Sequence, residues 1–196
     1  MPIFAAKHYD MNKQSTNSVL IAILLILAAA ISRVIQYPFN FSPMFGIAVF
    51  SGAIIKDKRL AIALPLFSMF LSDLMFEIFK IAPGFWGWGQ LVGYGLFAII
   101  TIIAFSLKRI NVLTVAGYSI LSAVIFFLLS NASFFVFDNP VYHTYPQNIY
   151  GLYDCYVAGL PFFRTSLISS LIYSGLLFGG YYLFTQKVSG SAMAKS

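Results

Sequence analysis

Two carboxylates, Asp73 and Glu77, sit four residues apart inside LAIALPLFSMFLSDLMFEIF, residues 60–79, a run otherwise broken only by Ser68 and Ser72. On a helix that spacing places both acids on one side, one turn apart. Twenty residues rising about 1.5 Å each match the roughly 30 Å hydrocarbon core of a bilayer, so the same run reads as a membrane span. A carboxylate turned to lipid costs on the order of 3 kcal/mol or more, so this side must face protein or water. Two chemistries follow for Asp73: a contact for a polar ligand, or an ion pair with Arg33 or Arg164 that fixes helix packing. Glu77 lies nearer the span's end, where it lines a site or is simply solvated.

The composition sets what can position these acids. Of 196 residues 60% are hydrophobic and only 9% charged, too few polar groups to cover a soluble globule. The chain therefore reads as an all-α integral membrane protein. The net charge of +6 encodes topology in such a chain rather than nucleic-acid binding. One cysteine, Cys155, excludes an intrachain disulfide and a multi-cysteine metal site.

Apolar runs predict spans near residues 19–35, 43–55, 60–79, 91–107, 112–129 and 161–184, a single bundle of about six transmembrane helices. This domain covers 19–184, between a cytoplasmic tail at 1–18 and a disordered cytoplasmic tail at 185–196. The run from Val19 is a retained span, since no small-residue cleavage site follows a short apolar core. Ser42 before Pro43 is a helix-start signal, and Gly46, Ala48 and Gly52 give the short second span a narrow face for close packing. Residues 149–160 carry apolar positions at helical spacing and predict a short interfacial helix in the last outer loop.

Threaded as six spans, the chain puts Lys7, Lys13, Lys56, Lys58, Arg59, Lys108, Arg109, Lys187 and Lys195 on the side of the termini. Arg33, Lys80 and Arg164 fall on the other. The positive-inside rule then makes both termini cytoplasmic and the protein a multi-pass component of the bacterial inner (plasma) membrane. Asp73, Glu77, Arg33 and Arg164 land together in the outer half. The outer links add Asn40, Trp86, Trp88, Asn131 and Asp154, the tryptophans being an interfacial belt or the walls of a ligand mouth. Arg33, Asn40, Asp73, Glu77, Trp86, Trp88, Asn131, Asp154 and Arg164 are thus the candidate substrate-binding set. His143 stands alone in a polar loop, and Cys155 reads as a small buried side chain, so no metal site and no cofactor is expected.

The sequence holds no phosphate-binding GxxxxGK[ST] loop, no HExxH, no GxSxG and no paired-histidine span for haem. An enzyme is not expected; transport or binding is favoured, with a non-transporting interaction or assembly subunit as the alternative.

The run NFSPMFGIAVFSGAIIKDKRLAIALPLFSMFLSD from Asn40, SNASFFVF from Ser130 and CYVAGLPFFRTSL from Cys155 carry a resemblance. From about Ile31 to Phe178 the chain resembles a DUF6580-type family of small bacterial membrane proteins assigned to transport without an established function. That family in turn looks like the substrate-binding S components of energy-coupling factor (ECF) vitamin transporters. The resemblance implies six helices, capture of a small vitamin-like solute from outside, and release inward driven by a transmembrane coupling subunit with ATPases. It implies a docking face for that subunit, for which the small residues from Ala28 to Ser32 are candidates beside plain packing within the bundle.

Overall fold

A computed structural model describes residues 16–35, 40–85 and 87–186, with helical backbone continuing to Met193. The expected N-terminal tail to residue 15 and Trp86 lie outside the described residues. The elements are α1 (Thr16–Ser32), α2 (Met44–Ile54), α3 (Lys58–Phe79), α4 (Trp88–Ala104), α5 (Val112–Ser133), a π-helical turn (Phe134–Asp138), α6 (Asn139–Tyr142) and α7 (Ile149–Met193). There is no strand among the described residues. Three helical stretches, Lys58–Phe79, Val112–Tyr142 and Ile149–Gln186, are long and apolar enough to cross a membrane. Three shorter apolar helices, α1, α2 and α4, accompany them.

Local signals in the sequence set the ends. Ser42 Oγ accepts from the Met44 N–H at 3.3 Å while Pro43 is already helical at φ −67°, so α2 starts where the Ser-Pro pair predicts. Asp57 accepts from the N–H groups of Arg59 and Leu60 at 2.9 and 3.0 Å and caps α3. Asn111 and Thr114 form a reciprocal capping box that starts α5. Lys80, left-handed at φ 53°, ends α3.

Helix α2 is the centre of the bundle: every residue from Met44 to Gly52 is buried. A helix of eleven residues is about 17 Å long, and neighbours rather than lipid surround it. Close approach requires glycine at two of its positions. A Cβ on Gly46 would lie 2.7 Å from the Tyr173 Cβ of α7, and one on Gly52 would lie 2.7 Å from the Ala104 Cβ of α4. A further tie follows from proline chemistry. Pro65 inside α3 has no N–H to give to the carbonyl of Ala61, and the buried Ser51 hydroxyl of α2 donates to that carbonyl at 2.7 Å.

Two expectations change. Residues 149–160 do not form a separate interfacial helix; they are the first three turns of α7, which continues through Pro161 and is 45 residues long. They stay upright because they have a partner: Tyr156 donates to the Leu128 carbonyl at 2.8 Å, and Cys155 Sγ packs on Asn131 at the end of α5. The small residues of α1 also divide. Ala29 and Ala30 are buried in the bundle, Ser32 Oγ bonds Tyr173 Oη of α7 at 3.0 Å, and only Ala28 faces outward. Packing within the bundle therefore takes Ala29, Ala30 and Ser32 of the run considered for a docking partner.

The helices alternate in direction, so the polar groups separate to two ends. Lys56, Lys58, Arg59, Lys108 and Arg109 are exposed at one end, where Lys58 Nζ stands 5.1 Å over the Phe105 ring. Arg33, Asp73, Gln90, Asn40, Asn131 and Ser166 lie at the other.

Candidate functional site

That second end carries two distinct arrangements. The first is built on Asp73, which is 1% exposed. The end of α1 brings Arg33 to it through tightened turns, Arg33 N–H to the Ala30 carbonyl at 3.1 Å and Ile35 N–H to Ser32 at 3.1 Å. Arg33 Nη1 donates to Asp73 Oδ1 and, at 2.6 Å, to Ser72 Oγ, and its guanidinium lies 5.0 Å over the Phe76 ring. Helix α4 supplies the rest: Gln90 Nε2 donates to Asp73 Oδ2 at 2.7 Å, and the Tyr94 hydroxyl donates to the same oxygen at 2.9 Å.

Three donors on a buried carboxylate satisfy its charge and nearly fill its lone-pair sites. At most one lone pair, on Oδ1, is left unused, and Asp73 is buried. The Arg33 pair of the two offered by the sequence forms, while Arg164 is exposed on α7.

The same cluster fastens the 80–87 loop. Glu77 Oε2 accepts from the Gly84 N–H at 3.0 Å, and Gln90 donates to the Gly84 carbonyl at 2.8 Å. A Cβ on Gly84 would collide with the Asp73 carbonyl, so only glycine lets the loop come this close. Glu77 is accordingly an exposed side chain with a structural bond. Arg33, Asp73, Glu77, Gln90, Tyr94 and Gly84 together form a clamp joining α1, α3 and α4.

The second arrangement is a cavity of about 230 Å³ between α5, α7 and the residues leading into α2. Phe127, Asn131 and Phe134 project from one face of α5 and its π turn, and Gly159, Phe163 and Ser166 from one face of α7. Phe126, Ser130, Phe162 and Asn40 complete the lining. Asn40 is held at φ 61°, and Ser166 Oγ reaches its carbonyl at 3.5 Å.

Aromatic contacts keep the cavity formed. Phe127 packs on Phe163 at 4.9 Å and Tyr156 at 5.6 Å, while Phe126 stacks on Phe97 at 5.3 Å and meets Phe45 edge-on at 5.1 Å below. The π-helical turn begins at the lining residue Phe134, whose ring stands against Tyr145. A reciprocal pair of bonds between buried Asn139 and the backbone of Tyr145, 2.9 and 2.7 Å, closes the loop above. Single π turns inside α-helices recur at functional sites because the extra residue turns side chains out of register.

The structure thus divides the candidate set. Asn40 and Asn131 line the cavity; Arg33, Asp73 and Glu77 belong to the clamp. Trp88 is 80% exposed at the start of α4, and Asp154 and Arg164 are exposed on α7, outside both arrangements. Sequence reasoning placed Gln90 among the polar residues of the outer links without joining it to Asp73 and missed Tyr94; their spacing of four on α4 opposite the acids was the available signal. It also missed the phenylalanines of the cavity, where an aromatic stripe at helical spacing reads equally as a lipid-facing surface.

A family model described as "Family of unknown function (DUF6580)" matches residues 13–193. Neither the curated proteins nor the solved structures contain a match to the chain.

Proposed function

The chain belongs to the DUF6580 family, whose function is unknown, and we propose, from the resemblance to S components and the outer-end cavity, that it is a membrane transport protein of ECF S-component type. In this reading all six helical segments cross the bacterial inner (plasma) membrane, with the basic turns and both termini cytoplasmic and the tails flanking the bundle. Helix α2 crosses inside the bundle, where its buried flanks make its short length no obstacle. The excess of Lys and Arg at one end supports the orientation.

The observation that carries the functional reading is the cavity at the end opposite the basic turns. In the proposed orientation it opens outward and takes a small organic, vitamin-like solute for uptake. Its aromatic walls bury the body of the solute, and the carboxamides and hydroxyls at its edge orient it. The Arg33–Asp73 clamp holds the neighbouring helices and does not touch the solute. The resemblance to S components implies that the energy for inward release comes from a partner, a transmembrane coupling subunit with ATPases.

Native mass spectrometry of the gently purified protein tests this. One organic solute bound per chain, and absent from a correctly folded Ser130→Trp variant that fills the cavity, is the expected result. A stoichiometric membrane protein partner with no bound solute would instead favour an assembly subunit.

A further inference from the structure

We infer that the ligand of the cavity is an uncharged, planar molecule with a carboxamide-like hydrogen-bonding edge, an inference that rests on the solute-binding reading above. Its described lining contains no ionisable side chain. Among the charged residues at this end of the bundle, Arg33 and Asp73 neutralise each other and Glu77 holds the Gly84 N–H, while Lys80, Asp154 and Arg164 are exposed and, like Asp138, are not part of the lining. A charged ligand entering here would lose its water and meet no counter-charge, a penalty large enough to decide selectivity.

What the lining does offer is matched to a neutral amide. Phe127 and Phe163, packed on each other at 4.9 Å across two helices, and Phe134 beside them give an aromatic wall against which a flat ring can lie. Asn131 spends one Nδ2 hydrogen on the Phe127 carbonyl at 2.7 Å, while its Oδ1 has only a weak contact, 3.9 Å to Cys155 Sγ. It can therefore accept one hydrogen bond and donate another. An amide or lactam edge answers both at once. The volume of about 230 Å³ lies below the roughly 300 Å³ at which drug-sized pockets begin, which limits the occupant to a compact ring system.

Three probes of nearly one shape separate charge from fit: benzamide, benzoate and benzamidinium. Titration calorimetry of the purified full-length protein is expected to detect benzamide and to find both ions at least about tenfold weaker. Asn131→Leu, which keeps volume and loses the amide, should weaken benzamide at least about fivefold. In a Cys155→Ser background, the reaction of Ser130→Cys with a water-soluble methanethiosulfonate reports separately whether the cavity is open. A reactive thiol with either ion bound as tightly as benzamide, or with benzamide not bound, overturns the inference and leaves the cavity standing. An unreactive thiol overturns the binding reading beneath it.

Discussion

Asp73 is marked by its sequence position as exceptional, with two tasks open to it, a ligand contact or an ion pair. Its type and depth mark it as an acid that must have a partner, and Arg33, Gln90 and Tyr94 supply the partners completely. Removing one member of such a set leaves the other charge buried, which costs about 3–5 kcal/mol in measured cases. Arg33 retains some solvent at its side chain, 18% exposed, so the lower part of that range applies. Asp73→Asn is therefore expected to lower stability by about 3 kcal/mol in thermal or denaturant unfolding in detergent, with solute affinity unchanged. A loss of affinity without a loss of stability would return Asp73 to the binding site. The sequence carried the pair Arg33 and Asp73 but not the choice between pairing and binding. That choice depends on Gln90 and Tyr94 meeting the same carboxylate from α4, and such a convergence is a property of tertiary packing.

At the level of elements, proline and serine explain one another. Pro65 frees the Ala61 carbonyl within the bundle core, and Ser51 answers it from the facing helix. Ser51→Ala should cost about 1 kcal/mol, since it leaves a buried carbonyl without a donor. In a Pro65→Ala background, where the backbone N–H restored at that position would answer the carbonyl itself, the same substitution should cost markedly less. Equal costs in both backgrounds would refute the coupling. The start of α2 was legible at Ser42-Pro43; the Asp57 and Asn111 caps of α3 and α5 are local signals of the same kind that the sequence reading did not use. Element lengths were less legible. The chain from Ile149 carries an amphipathic pattern that a membrane surface or a second helix can satisfy, and α5, continued by its π turn, is the helix that does.

For the whole molecule, the arrangement is one buried helix, α2, wrapped by longer ones, with basic turns at one end and a clamp and a cavity at the other. The alternation of apolar runs made this bundle readable from composition alone. The cavity was not, because phenylalanines at helical spacing suit a lipid-facing surface as well as a cavity wall, and the sequence does not show where α5 meets α7. The account depends on that cavity being open to the exterior. Its most direct test is a Ser130→Cys, Cys155→Ser protein labelled in intact cells with a membrane-impermeant maleimide, beside a Lys108→Cys, Cys155→Ser control at the basic end. External labelling at residue 130, with residue 108 labelled only in inverted vesicles, is the predicted result. The reverse pattern would contradict the orientation and, with it, uptake through this site.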